Sequence, residues 1–288
     1  MTLREAYNEA KRRLQASGAD SPEFDAACLF EKYTGIGRGQ LPLRGHENAL
    51  LPEEFWRDVG RRQSGEPLQY ILGEWEFMGL DFYVGPGVLI PRPETELLAQ
   101  TAIDALRGKS SPRLLELCAG SGCVTIAVCR TLPDVKSECV EISPDAAKYL
   151  VKNIARHGLS GRVTARHGDM LDESCIGACC GPFDAIVCNP PYIKSGDLPS
   201  LQREVRDHEP ALALDGGEDG MKFYRALGSY FALLEPGGTA ACEIGAGQEK
   251  QVSEIFRNAG LCGVRCGKDL AGIGRVVSGT RGAAHDCI

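Results

Sequence analysis

The sequence has no apolar run that approaches the ~20 residues needed by a membrane-spanning helix. Its first residues, Met1 to Glu5, also lack the apolar core of a secretion signal. A positive charge balance is missing as well: 39 acidic and 32 basic side chains give a formal net charge of −7, which argues against a long surface that tracks nucleic acid. We therefore expect a cytoplasmic protein with no membrane and no nucleic acid as a direct partner.

Cysteine is abundant, but cysteines in C-x-x-C pairs are absent. The thirteen cysteines are scattered, and the cluster Cys175, Cys179 and Cys180 has no histidine at zinc-ligand spacing. Others, such as Cys139 and Cys188, lie inside apolar stretches. We predict free thiols that pack as small hydrophobic side chains, and no metal site.

The stretch most informative about function runs from Phe183 to Tyr192. An apolar run there stops at Asn189, and Pro190, Pro191 and Tyr192 follow. A continuous apolar run is typical of a strand that is buried on both faces of a parallel sheet. Because proline has no N–H to extend the ladder, the two prolines predict a stiff corner at the end of this strand. Open α/β sheets bind their ligands at such carboxyl ends.

This corner presents groups that suit a planar NH2 group as nucleophile. The Asn189 side-chain oxygen and the Pro190 carbonyl can accept its hydrogens, while Pro191 and Tyr192 form pocket walls. Asn-Pro-Pro-Tyr resembles the motif of methyltransferases that use S-adenosylmethionine to methylate amino groups on adenine, guanine or glutamine. The motif indicates the class of nucleophile, and a plain proline-rich turn that closes a strand is the alternative.

The residue pattern predicts three parts in the chain. Residues 1–73 form a small N-terminal helical bundle, with one apolar face made by Leu3, Ala6, Tyr7, Ala10 and Leu14. Residues 74–86 form a β-hairpin linker, since apolar residues alternate around Gly79. In residues 87–288 strands alternate with helices, which predicts parallel βαβ units in a doubly wound, Rossmann-like α/β sheet. Near its end we expect a helix over 221–234 and a strand over 239–244.

A candidate cofactor site lies at the carboxyl ends of the predicted strands. The turn after the first strand offers Glu116, Cys118, Ala119, Gly120, Ser121 and Gly122. A glycine-rich turn alone equally fits a dinucleotide. Glu141, placed to accept the ribose hydroxyls, and Asp169, placed to accept the adenine amino group beside Met170, shift the interpretation toward S-adenosylmethionine. The Asn189 corner, which is unsuited to hydride transfer, points the same way.

Three segments are similar to the HemK/PrmC family of peptide chain release factor methyltransferases. They are residues 67–73, residues 88–96, which end in Pro-Arg-Pro-Glu-Thr-Glu, and residues 189–192. The similarity extends over nearly the whole chain, including Glu209-Pro210 and the glycine-rich residues 216–220. In the cofactor turn this chain has Glu116, Cys118 and Ala119 where the family usually has Asp, Gly and Thr.

The resemblance implies a substrate and a role for the helical part. The substrate is the glutamine of the Gly-Gly-Gln loop in class 1 release factors, methylated on its side-chain amide nitrogen. The helical bundle, residues 1–73, is implied to help bind the factor. A DNA or RNA amino-methyltransferase acting on adenine or guanine remains the alternative, and a non-catalytic partner protein with the same fold is a second one. The segment 88–96 either caps a helix or forms a wall of the active site.

Overall fold

The computed structural model describes residues 1–282, which form two compact units. One unit combines Met1–Glu74 with Gln202–His208, and the other combines Trp75–Leu201 with the chain from Glu209 onward. The last six residues of the predicted segment 87–288 lie outside the described residues.

The helical unit is built around the apolar face predicted for its first helix. Its helices are α1 (Leu3–Ala16), α2 (Pro22–Thr34), α3 (Leu41–Arg44), α4 (Glu53–Gln63) and α5 (Leu68–Leu72). All five predicted face residues of α1 are buried. Phe30 of α2 packs edge-on against Tyr7 and Phe55, with ring centroids 5.8 and 6.3 Å away. The short α3 was not predicted from the sequence.

A two-stranded hairpin follows, as the sequence predicts. Its strands are β1 (Glu74–Phe77) and β2 (Leu80–Tyr83). Met78 and Gly79 between them have φ angles of 52° and 73°. Two consecutive left-handed residues give a turn whose twist matches that of the paired strands.

The second unit contains a seven-stranded sheet with helices between its strands. Its elements, with one helix of the other unit included for numbering, are α6 (Glu96–Leu106), β3 (Arg113–Leu117), α7 (Cys123–Thr131), β4 (Lys136–Glu141), α8 (Pro144–Arg156), β5 (Val163–His167), α9 (Glu173–Ala178), β6 (Phe183–Cys188), α10 (Arg203–His208, helical unit), α11 (Lys222–Tyr230), β7 (Leu234–Glu243), α12 (Glu249–Asn258), β8 (Leu261–Lys268) and β9 (Gly274–Arg281). The strand order is β5-β4-β3-β6-β7-β9-β8.

This order places the candidate site at the carboxyl ends of the parallel strands. Strands β3 to β7 are parallel neighbours, so their carboxyl ends lie side by side. The chain order reverses between β3 and β6, which is the position where open α/β sheets bind ligands. β9, which lies between β7 and β8, pairs antiparallel with both of them. The predicted doubly wound sheet is therefore confirmed.

Arg62 holds the returning segment 202–208 in the helical unit. Its buried guanidinium donates to Asp25 Oδ2 over 2.7 Å and to a carboxylate oxygen of Glu204. A buried charge is stable only with partners of the opposite sign. The return of α10 to the helical unit was not predicted, because it depends on a contact between residues 142 positions apart.

Two element boundaries near the end of the chain were predicted wrongly. The helix predicted over 221–234 ends at Tyr230 and continues as a 3-10 turn, Phe231–Leu233. The following strand begins at Leu234 rather than at residue 239, so Gly237 and Gly238 lie inside β7. The strand pairing shifts register between Phe183 and Ala185 of β6, which accommodates these glycines as an irregularity in the ladder.

Candidate active site

A cavity of about 450 Å3 opens at the carboxyl ends of the parallel strands. Its volume is in the range of ~300–1,000 Å3 that is typical of small-molecule sites. The predicted residues that line it are Glu116, Cys118, Ala119, Gly120, Ser121, Glu141, Asp169, Met170, Asn189 and Pro191. Gly122, Pro190 and Tyr192 are adjacent in the chain but do not line it. The structure thus brings the proposed cofactor residues and the Asn189 corner to one cavity.

The turn after β3 has a backbone that only glycine adopts easily. Cys118, Gly120 and Gly122 have φ angles of 56°, 55° and 78°. A Cβ atom added to Gly122 would lie 2.4 Å from Leu150 Cδ1, so glycine is needed there for packing. A Cβ atom on Gly120 would meet no atom within 4 Å, which leaves open space on the cavity wall. Cys118 occupies a glycine-type position, and its Sγ lies 3.3 Å from Met170 Sδ.

Glu141 at the end of β4 holds this turn by a hydrogen bond to its backbone. Its Oε2 accepts the N–H of Gly120 over 2.7 Å, and its Oε1 accepts the N–H of Ser143 over 2.7 Å. Burial raises the pKa of this carboxyl, and the backbone hydrogen bonds oppose that rise. A carboxylate oxygen accepts more than one hydrogen bond. Glu141 therefore keeps acceptor capacity for a pair of hydroxyl groups in the cavity, as a ribose provides.

Two other predicted carboxylates are fixed by backbone N–H groups. Asp169, beyond the end of β5, accepts the N–H of Leu171 at Oδ1 over 2.9 Å. Glu116 is buried, and its Oε2 accepts the N–H of Thr125 in the first turn of α7 over 3.0 Å. Burial raises the pKa of Glu116 to about 7. Glu116 thus satisfies a donor that the start of a helix leaves free, in addition to lining the cavity.

Asn189 is held at the cavity wall by a hydrogen-bond chain that sequence reasoning missed. Its Nδ2 donates to Thr95 Oγ1 over 3.3 Å, and that hydroxyl donates to Glu243 Oε2 over 2.6 Å. Thr95 lies in the Pro-Arg-Pro-Glu-Thr-Glu segment, while Glu243 ends β7. The position of a carboxylate at a strand end was the available signal for Glu243.

Tyr192 contacts neighbouring residues through both its side chain and its backbone. Its hydroxyl donates to Glu243 Oε1 over 3.4 Å, and its carbonyl accepts from Gln248 Nε2 over 3.0 Å. A Cβ atom on Gly216 would lie 2.8 Å from Tyr192 Cα, and one on Gly220 would lie 2.6 Å from the Tyr192 carbonyl oxygen. These glycines let the segment 216–220 pack directly on the corner. The wall role of the Tyr192 ring stays a prediction.

Replacing Gly216 by alanine is expected to destabilise the fold by ~1–3 kcal/mol, the usual cost of an added carbon in a packed site. The new Cβ would also lie 2.9 Å from the Pro191 carbonyl, so the corner itself must move. The matched control is Gly196→Ala, where a Cβ meets no atom within 4 Å. Denaturant unfolding of both variants measures the difference, and equal stability of the two would contradict this packing.

The segment 88–96 forms part of the cavity wall, which agrees with the interpretation of this segment as a wall of the active site; that interpretation stays a prediction. Leu89, Ile90, Pro91, Arg92 and Thr95 line the cavity. Glu209 fixes this segment, since its carboxylate accepts the Ile90 N–H over 3.2 Å and pairs with the Arg92 guanidinium. The sequence offered Glu209-Pro210 only as part of a resemblance and gave it no role.

Among residues 1–282, no group of three or more His, Cys, Asp or Glu side chains is arranged to hold a metal ion. In the same range, no helix is long and apolar enough to cross a membrane. Cys139, Cys188 and Cys242 are buried free thiols, as predicted.

Comparison with known proteins gives two family matches and many relatives. The family model described as the PrmC N-terminal domain matches residues 5–73, and the methyltransferase small domain matches residues 93–217. A release factor glutamine methyltransferase of Geobacter sulfurreducens is 39% identical over 285 residues, which cover 98% of this chain and 97% of that protein. The corresponding protein of Moorella thermoacetica is 40% identical over 264 residues, with 90% and 91% covered.

A solved structure supports the fold. The crystal structure of a methyltransferase from Pyrococcus furiosus matches with a TM-score of 0.53 and 19% identity, covering 72% of this chain and 91% of that chain. At this identity the likeness shows the fold alone. It agrees with the parallel sheet and flanking helices described above.

Proposed function

The chain belongs to the family of release factor glutamine methyltransferases, and we infer from this membership that it methylates a glutamine side chain of a peptide chain release factor. The resemblance to the HemK/PrmC family in the sequence motifs is thereby confirmed. The methyl donor is S-adenosylmethionine. We take the acceptor to be the side-chain nitrogen in the Gly-Gly-Gln loop of class 1 factors, as the resemblance implies.

We propose that the cofactor is held by the residues at the ends of β3, β4 and β5. Glu141 accepts the ribose hydroxyls, for which its two oxygens retain capacity beyond the bonds to Gly120 and Ser143. Asp169 accepts the adenine amino group, with Met170 beside the ring. Of the predicted turn 118–122, residues 118–121 line the cavity and are assigned to the methionine end, where Gly120 leaves room. When bound, S-adenosylmethionine supplies a methyl group activated by a positively charged sulfur.

Asn189, which lines the cavity, and the carbonyl of the adjacent Pro190, which does not line it, are proposed to hold the substrate amide. An amide nitrogen is a weak nucleophile because its lone pair is delocalised into the carbonyl. Two acceptors that bind its two hydrogens orient the nitrogen and favour charge on it as it reacts. The orientation of the Asn189 side chain at the cavity wall is the observation that carries this proposal. The product sheds its extra proton to water, so the site needs no strong base.

One parallel assay tests the substrate class. Tritiated S-adenosylmethionine is offered with release factor, duplex DNA or ribosomal RNA, and radioactivity in each macromolecule is counted. We expect label in the release factor only, since a net charge of −7 does not favour nucleic acid. Label in DNA or RNA with none in the factor would support the amino-methyltransferase alternative instead. A protein substrate also favours the cytoplasm, where release factors act.

We propose that the helical segment 1–73 binds the release factor, while residues 87–288 carry out the transfer and the hairpin 74–86 links them. Leu43 and Leu50 in the helical unit are 77% and 97% exposed. A contiguous exposed apolar patch is typical of a surface that contacts another protein, and we propose Leu43 and Leu50 as members of such a patch.

Replacing Leu43 and Leu50 together by serine is expected to raise the KM for intact release factor several-fold. Each truncation removes apolar contact worth about 1 kcal/mol at an interface. The dissociation constant of S-adenosylmethionine should be unchanged. Val151→Ser, an exposed apolar position on α8, is the matched control and should alter neither constant. An unchanged KM in the double variant would show that Leu43 and Leu50 do not contribute to binding of the release factor.

A further inference from the structure

Two buried side chains connect the Asn189 corner to the end of β7. Glu243 is 3% exposed and Thr95 is 2% exposed. Thr95 Oγ1 lies 2.6 Å from Glu243 Oε2 and 3.3 Å from Asn189 Nδ2. Tyr192 OH donates to the other oxygen, Glu243 Oε1. The Glu243 carboxylate therefore binds both polar side chains of the corner: Tyr192 directly, and Asn189 through Thr95.

The number of hydrogens available in this hydrogen-bond network fixes the orientation of the Asn189 side-chain amide. A threonine hydroxyl has one hydrogen, and an ionised carboxylate can only accept. The hydrogen of Thr95 must therefore go to Glu243, and the Thr95 oxygen can only accept from Asn189. It follows from the network that the NH2 branch of the Asn189 amide faces Thr95. The Oδ1 branch is then directed away from Thr95.

We propose that Thr95 and Glu243 are positioning residues that select the amide orientation of Asn189 in which Oδ1 receives the substrate amide. This inference rests on the proposed function, in which Asn189 accepts a hydrogen from a glutamine NH2 group. A flipped Asn189 would present its own NH2 group to the substrate, and two donors cannot bond each other. Thr95 lines the cavity, but in this proposal it and Glu243 act on the reaction through Asn189.

The charge on Glu243 sets the conditions under which this selection works. Burial raises the pKa of Glu243 to about 7, and the neighbouring Glu94 carboxylate adds to the rise. Hydrogen bonds from Thr95 and Tyr192 and the charge of Arg275 oppose it. Assays belong on the alkaline side of neutrality, where Glu243 is ionised and can only accept.

The test compares two substitutions of Thr95. Thr95→Val keeps the shape but removes the hydroxyl, whereas Thr95→Ser keeps the hydroxyl. We expect Thr95→Val to lower kcat on release factor about tenfold, which is the effect of losing one positioning hydrogen bond. The kcat of Thr95→Ser should stay within about twofold of the wild-type value. The dissociation constant of S-adenosylmethionine and the unfolding midpoint should change little in both. Equal losses in the two variants, or no loss in Val, would overturn the inference.

A double-variant comparison separates positioning from general stability. In an Asn189→Ala background the Thr95→Val change should cost little more in kcat, because the side chain that Thr95 orients is gone. A loss as large as in the wild-type background would show that Thr95 acts on the fold instead.

A spectroscopic measurement reads the orientation without any activity. In protein labelled with 15N-asparagine, the Asn189 side-chain resonances are identified as those missing from Asn189→Ala. Thr95→Val should shift them and Thr95→Ser should leave them nearly unchanged, and the reverse pattern would overturn the inference. Failure of wild-type enzyme to label release factor would instead count against the proposed function, so the two failures are distinguishable.

Discussion

Replacing Asn189 by alanine is expected to lower the rate of methyl transfer to release factor by about 100-fold or more, the scale seen when one preorganised polar group is removed. The reason is loss of the Oδ1 acceptor at the cavity wall, where Asn189 is held through Thr95. The affinity for S-adenosylmethionine should change far less, since Glu141 and Asp169 are proposed to bind it. Single-turnover transfer and calorimetric cofactor binding measure the two effects separately.

Asn189→Asp is the sharper companion variant. It keeps an acceptor toward the substrate, but its second oxygen faces the Thr95 hydroxyl, whose hydrogen is already donated to Glu243. Two oxygens without a hydrogen between them repel, so we expect this variant to be impaired as well. Transfer at the wild-type rate by Asn189→Ala would contradict the proposed role of Asn189.

Replacing Glu141 by glutamine is expected to raise the dissociation constant of S-adenosylmethionine by about 100-fold or more. Two hydroxyl hydrogen bonds to a charged acceptor are each worth ~1.5–3 kcal/mol. Glutamine keeps the size of the side chain but has one acceptor oxygen, which cannot serve Gly120, Ser143 and the ribose together. Isothermal titration calorimetry measures the constant directly.

A second buried glutamate of the same strand provides the control. Glu138 lies on β4 but pairs with Arg166 and does not line the cavity. Glu138→Gln should leave the dissociation constant nearly unchanged, whatever it does to stability. A weak effect of Glu141→Gln, or an equal effect of the two variants, would mean that the ribose binds elsewhere.

Most of the cofactor site was predictable because strand ends are visible in the sequence. Strands that alternate with helices and end close to Cys118, Glu141, Asp169 and Asn189 predict parallel strands, and parallel strands bring their carboxyl ends together. The glycine pattern at Gly120 and Gly122 likewise reflects a local backbone requirement. Local patterns of this kind need no knowledge of the distant chain.

The features that were missed depend on distant contacts. Thr95 and Glu243 are 148 positions apart, and Arg62 and Glu204 are 142 apart, so no periodicity connects them. The wrong boundary at β7 has a related cause. Gly237 and Gly238 are typical of a turn and are not themselves paired, but Leu234 before them pairs with Phe183 and Thr239 after them pairs with Ala185, so the strand extends across both. Tertiary pairing outweighs local preference at these sites.

Mapping the methyl group on the product tests the central claim most directly. Release factor is incubated with the enzyme and S-adenosylmethionine, and tandem mass spectrometry of its peptides locates the added mass. We predict one methyl group on the side-chain nitrogen of the Gly-Gly-Gln glutamine, and none when that glutamine is replaced by alanine. A methyl group at any other residue, or label that persists in the alanine-substituted factor, would contradict the account.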